Sequence, residues 1–173
     1  MKLHGAITIN GRAYAKGSEV RWYTIYPFFL IHMLMFGLSG FLLAYGADTP
    51  MSGVAIHGGI AITVYTVFYL AIFGWDEVKW MLINAGLGLM GIYSQIGWLL
   101  SLFDKSIDDF PWYRHVVPFM YYVLYTFLLR QLVLDLAGAR EDEQKKSRVE
   151  AVYILVSFAV YLAIYLAGRR GAH

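Results

Sequence analysis

Residues 80–103, WMLINAGLGLMGIYSQIGWLLSLF, run for 24 positions without one formal charge. At about 1.5 Å per residue that run matches a hydrocarbon core of about 30 Å, and a lipid-spanning helix is the structure that tolerates it. The chain therefore reads as an integral membrane protein. Within the run Asn84, Gly88, Gly91, Gln95 and Trp98 follow at steps of four, three, four and three, which puts its polar and small residues on one helical face. That face is expected to pack on protein.

Composition agrees. Hydrophobic residues make up 59% of the 173, charged residues only 15%, and the mean hydropathy is +0.54. The 14 basic and 12 acidic residues lie mostly outside the apolar runs, which argues for sided loops and against a nucleic-acid surface. Without cysteine there is no disulfide, thiolate metal site or cysteine nucleophile. The first 24 residues are mixed and polar and lack the pattern of a secretory signal.

Five apolar runs, at about residues 25–46, 53–73, 80–103, 116–136 and 149–167, predict an all-α, five-helix up-down transmembrane bundle spanning residues 25–168. The fourth run is the weakest, because Arg130 and Asp135 interrupt it, and a four-span arrangement is the alternative. Residues 169–173 read as a short basic tail. Lys and Arg bias sets the orientation. A cytoplasmic N-terminus puts nine basic residues inside (Lys2, Arg12, Lys16, Arg21, Lys79, Arg140, Lys145, Lys146, Arg148) and four outside (Lys105, Arg114, Arg169, Arg170). The expectation is N-in, C-out, in the cytoplasmic (inner) membrane. Residues 139–148 are highly charged and read as a short solvated helical turn.

Residues 1–24 form a cytoplasmic arm. Its Asn10-Gly11 pair suits the positive φ angles of a type I′ turn, which pairs Ile9 with Arg12 and Ile7 with Tyr14 in a hairpin. Two strands alone are marginal in water, so the hairpin is expected to lean on the bilayer, the bundle or a partner. Ser18 is the expected N-cap of the first helix.

Polar residues inside the spans are costly in lipid and so mark candidate sites. Counted at about 1.5 Å per residue from the inner ends, Asn84 lies about 6 Å deep, Arg130 about 9 Å and His32 about 10 Å. These three are expected to meet, with Glu77 and Glu150 at the inner mouths of their helices as counter-charges to Arg130. Such a cluster serves as a proton or anion relay or a binding pocket opening to the cytoplasm; the structural alternative is that Arg130 snorkels and Asn84 bonds a neighbouring backbone. Toward the outside, His57, beside Gly58-Gly59, lies about 6 Å below the boundary and His115 at it, a pair able to hold haem b or a metal; the alternative is that His57 bonds across helices and His115 sits at the interface beside Arg114. Gly37, Gly40, Gly88 and Gly91 are read as close helix-packing positions.

No P-loop, G-x-G-x-x-G, H-E-x-x-H or G-x-S-x-G is present, so no catalytic residue set is read and an enzymatic role is not expected. The leading functional expectation is a structural or accessory subunit of a membrane complex, its partners the lipid bilayer and another membrane subunit or a second copy. A haem-b redox subunit using His57 and His115 is one alternative. A small transporter or channel with an inner-leaflet polar site is the other.

Overall fold

A computed structural model describes residues 1–46 and 49–170, and among the side chains not those at 87, 90, 92, 93 and 168–170. The chain is 76% helical with one small two-stranded sheet. Strands β1 (Ile7–Ile9) and β2 (Arg12–Tyr14) precede helices α1 (Trp22–Tyr45), α2 (Met51–Phe73), α3 (Trp75–Val78), α4 (Trp80–Ser101), α5 (Val116–Leu136) and α6 (Glu143–Arg170). Two 3-10 turns, Ile107–Asp109 and Trp112–His115, lead into α5. Among the described residues four helices are long and apolar enough to cross a bilayer: Trp22–Tyr45, Met51–Phe73, Trp112–Leu136 and Glu143–Ala167.

The arm forms a small structure of its own. Asn10 and Gly11 adopt φ of 49° and 75°, and the antiparallel register is Ile7 to Tyr14 and Ile9 to Arg12. Residues 1–3 pair with 18–20: Leu3 N–H donates to Ser18 O at 3.0 Å and Val20 N–H to Met1 O at 2.9 Å. Leu3, Ile7, Ile9 and Val20 are buried beneath. The arm is fixed to the end of α2, where the His4 and Gly5 amides both donate to Ala71 O at 2.9 and 2.6 Å. Because residues 18–20 are consumed in this pairing, Ser18 does not cap α1. The helix begins at Trp22 after an extended Arg21, with no side-chain cap.

Gly74 ends α2 with φ +84°, and His4 lies against it so closely that a Cβ there would sit 2.5 Å from the imidazole Nδ1. Past this break the backbone re-enters helix through α3 and passes through Lys79, itself in helical conformation, into α4. Between α5 and α6, Gly138 turns the chain at φ +59° and the Asp142 carboxylate accepts the Lys145 amide at 2.9 Å, an N-terminal cap. The charged link is thus shorter than its composition suggests. Residues 143–148, rich in helix-forming Glu, Gln, Lys and Arg, extend α6 instead of forming a separate turn, and the helix also takes in the first two residues of the expected basic tail, ending at Arg170. Residues 171–173 of that tail lie outside the described residues.

Helix α5 is the hub, packed against α1, α2, α4 and α6. Close approach depends on small residues. A Cβ on Gly40 would lie 2.5 Å from the Tyr121 ring, one on Gly58 2.6 Å from Val117, and one on Gly88 3.1 Å from both Phe119 and Tyr122. Gly91 is equally crowded, against the Tyr122 hydroxyl and the Tyr161 ring. Gly37 is different: nothing approaches within 4 Å of its would-be Cβ, and it lines a groove between α1, α4 and α5 rather than a helix contact.

Candidate functional site

Antiparallel packing of α4 on α5 sets the register at the end of the bundle where α3 meets α4. Gly88 faces Tyr122, and two turns earlier on α4 the Trp80 ring lies 4.1 Å beneath the Arg130 guanidinium. Arg130 is 1% exposed. Its Nη1 donates to Glu77 Oε2 at 2.8 Å, from α3, and its Nη2 donates to Glu150 Oε1, from α6. Glu77 is shared further: Gln131 Nε2 donates to Oε2 at 2.9 Å and Lys146 Nζ to Oε1 at 2.6 Å. Two cations and two carboxylates therefore cancel, and each oxygen of Glu77 is bonded. Burial raises the Glu77 carboxyl, but hydrogen bonds from Gln131, Lys146 and Arg130 outweigh it and hold the group at about 2.

A second ion pair seals the same end. Arg140, in the α5–α6 link, brackets Asp135 through Nε and through Nη2, the latter at 3.0 Å to Oδ2. The Tyr26 hydroxyl of α1 donates to Asp135 Oδ2 and accepts from Arg140 Nη2 at 3.1 Å. Arg140 also lies over the Phe73 ring at 5.4 Å. Asp135 thus stays away from Arg130, as its i+5 offset requires. Together the two networks tie α1, α3, α5 and α6 at one end of the bundle.

Not all the polar atoms here are matched. Asn84 is 2% exposed, one turn past Trp80, and its Nδ2 has no hydrogen-bond partner; nor do Arg130 Nε and Gln131 Oε1. Each such orphan costs about 1–3 kcal/mol.

His32 does not join this site. Its depth is right but its direction is wrong: it is exposed on α1, its Nδ1 2.7 Å from Phe28 O and its ring 4.2 Å from that of Phe28. Depth along a helix axis says nothing about azimuth, and i to i+4 contact folds the ring back on its own helix.

His57 and His115 are held within the protein by hydrogen bonds. His57 Nε2 is 3.1 Å from Ser39 Oγ and its Nδ1 3.0 Å from the Tyr121 hydroxyl. Ser39 Oγ already donates to Phe36 O at 3.0 Å, so His57 donates through Nε2 and accepts from Tyr121 at Nδ1. With both nitrogens engaged, His57 offers no lone pair to an iron. His115 Nδ1 is 2.7 Å from the Tyr45 hydroxyl. The two residues sit in separate hydrogen-bonded contacts, α1 to α2 to α5 and α1 to the loop before α5. They do not fit a bis-histidine haem. Among the described residues no group of three or more His, Asp or Glu is arranged for a metal.

Several participants carry weak sequence signals. Lys146 lies one turn before Glu150 on α6 and so shares its face. Tyr26 and Asp135 stand at the limits of their apolar runs, at the same end of the bundle, so depth counting would have paired them. By contrast, nothing periodic announces the contacts of the loop between α4 and α5. There Lys105 Nζ donates to Tyr45 O at 2.9 Å and Arg114 Nη1 to Ala44 O at 2.9 Å, placing two cations on the free carbonyls at the C-terminus of α1. No family model matches the chain, and no curated protein or solved structure is significantly similar to it.

Proposed function

We propose that the chain is a five-span protein of the cytoplasmic (inner) membrane, N-terminus inside, that serves as an accessory subunit holding a fixed polar frame for a membrane partner. The observation that carries this reading is the state of Arg130. It is 1% exposed, neutralised by carboxylates from two other elements and covered by Trp80. A closed, charge-balanced lock of this kind fixes helices relative to one another and leaves no unpaired charge to titrate or move. Five spans are favoured because α4 is uncharged over its 22 residues. The nine-to-four distribution of basic residues favours the inward N-terminus. A reporter enzyme fused after residue 168 tests the topology: activity outside the cytoplasm fits five spans, and activity inside contradicts them.

The accessory role is tested by mild-detergent copurification of the full chain. A stoichiometric partner, lost when residues 1–20 are deleted, is expected. An unaccompanied monomer from the native membrane would contradict it.

A second reading, a small conduit for a polar solute opening at the inner end, is favoured by one observation: the unmatched Asn84 Nδ2, Arg130 Nε and Gln131 Oε1. On that reading Arg130→Ala abolishes flux at unchanged membrane yield. On the accessory reading yield and stability fall together.

A further inference from the structure

The inner end of the bundle balances its charges, and the arm beside it does not. Beyond residue 24 the groups at that end comprise six bases and seven acids. Of these bases, Lys79, Arg130, Arg140 and Lys146 are already paired with Asp76, Glu77, Glu150 and Asp135. The arm carries Lys2, Arg12, Lys16 and Arg21 against the single acid Glu19. All four cations are exposed, and among the described residues none of them makes an ion pair.

The arm is held still at the membrane's edge. Two amides clamp it to Ala71 near the end of α2, and Arg21 leads directly into α1. Arg21 donates to the Tyr23 hydroxyl at 2.5 Å, and Trp22 and Tyr23 stand half exposed, an aromatic pair suited to the head-group level. Between the hairpin and α2 lies an apolar cleft of about 320 Å³, lined by Ile7, Thr8, Tyr14, Val67, Phe68 and Ala71. Val67 is exposed on the flank of a candidate spanning helix, so the cleft opens sideways toward the bilayer.

We propose that the arm is a docking site for an anionic phospholipid of the adjacent leaflet, its phosphate among the arm cations and part of an acyl chain in the cleft against Val67 and Phe68. Charge complementarity selects the head group. A negatively charged leaflet attracts juxtamembrane basic residues by about 1 kcal/mol each, whereas a zwitterionic lipid offers no net charge to meet them. The apolar cleft favours a lipid over a soluble anion, because a free phosphate gains nothing from it. The inference rests on the chain lying in a bilayer and is independent of the accessory role.

Native mass spectrometry of the full chain in a charge-reducing detergent, with equimolar phosphatidylglycerol and phosphatidylcholine, tests it. A preference for phosphatidylglycerol of about five-fold or more is expected, corresponding to about one effective basic contact. Arg12→Gln with Lys16→Gln brings the ratio close to one, while Arg12→Lys with Lys16→Arg retains it. Lys145→Gln with Arg148→Gln, which removes the same charge from α6, leaves it unchanged. Equal retention of the two lipids by the unaltered chain would overturn the proposal, as would an equal fall in the α6 variant. Displacement of phosphatidylglycerol by excess inorganic phosphate would overturn it in favour of a soluble-anion site.

Discussion

Helices α5 and α6 invert what their sequences suggest. The segment containing α5 has the lowest mean hydropathy of the four candidate spans, 1.4, and carries Arg130, Gln131 and Asp135, yet it is the most buried at 56%. The segment containing α6 has the highest, 2.1, and is 6% buried. In water the more apolar helix would be inside. In a bilayer the order reverses, because lipid accepts apolar side chains on any helix, whereas buried polar groups need protein partners. The interruptions that make α5 a weak candidate span are what place it at the centre.

The largest effect expected from this contrast comes from removing Arg130. Arg130→Ala strands Glu150 without its cation and leaves Glu77 to Lys146 alone, and should cost about 3–5 kcal/mol, read as a fall in unfolding free energy in detergent. Next is a matched pair of truncations. Leu124 on α5 is fully buried and Leu155 on α6 is 68% exposed. Leu124→Ala should lose about 2–5 kcal/mol, and Leu155→Ala less than about 0.5. Equal losses would break the comparison, since they would mean that both helices are enclosed.

Glycine substitutions sharpen it further, with opposite signs. Gly40→Ala drives a methyl into the Tyr121 ring and should cost about 1–3 kcal/mol. Gly37→Ala meets nothing and should gain up to about 1 kcal/mol from helix propensity, both measured as midpoint shifts in thermal unfolding.

Smallest across ordinary conditions is the pH response. Glu77 is held at about 2, below its ordinary 4.5, so its contribution is fully present above 4.5 and is lost as pH falls from there toward 2. Thermal midpoints recorded from pH 7 to pH 3 should therefore decline below about 4.5, and Glu77→Gln should flatten that decline.

What was legible in the sequence divides along physical lines. Local chemistry was readable: Asn10-Gly11 dictated a turn and hence a register, because the positive φ angles are a property of two adjacent residues. Depth was readable too, since a bilayer converts residue number into height, which put Arg130 within reach of Glu77 and Glu150 at the mouths of their helices. Azimuth was not. His32 has the right height and faces away, while Gly37 belongs to the small-residue stripe of α1 and touches nothing. The pairing of residues 1–3 with 18–20, and the reach of Lys105 and Arg114 to α1, follow loop paths without a period and left no signal.

The central claim, that Arg130 is a neutralised lock between α3, α5 and α6, is tested most directly by a double-mutant cycle on unfolding free energy, combining Arg130→Ala with Glu150→Gln. The account predicts a coupling of about 1–3 kcal/mol, the double variant being more stable than the sum of the single losses implies. Additivity within about 0.3 kcal/mol would contradict it, showing that the two side chains do not hold each other in the folded protein.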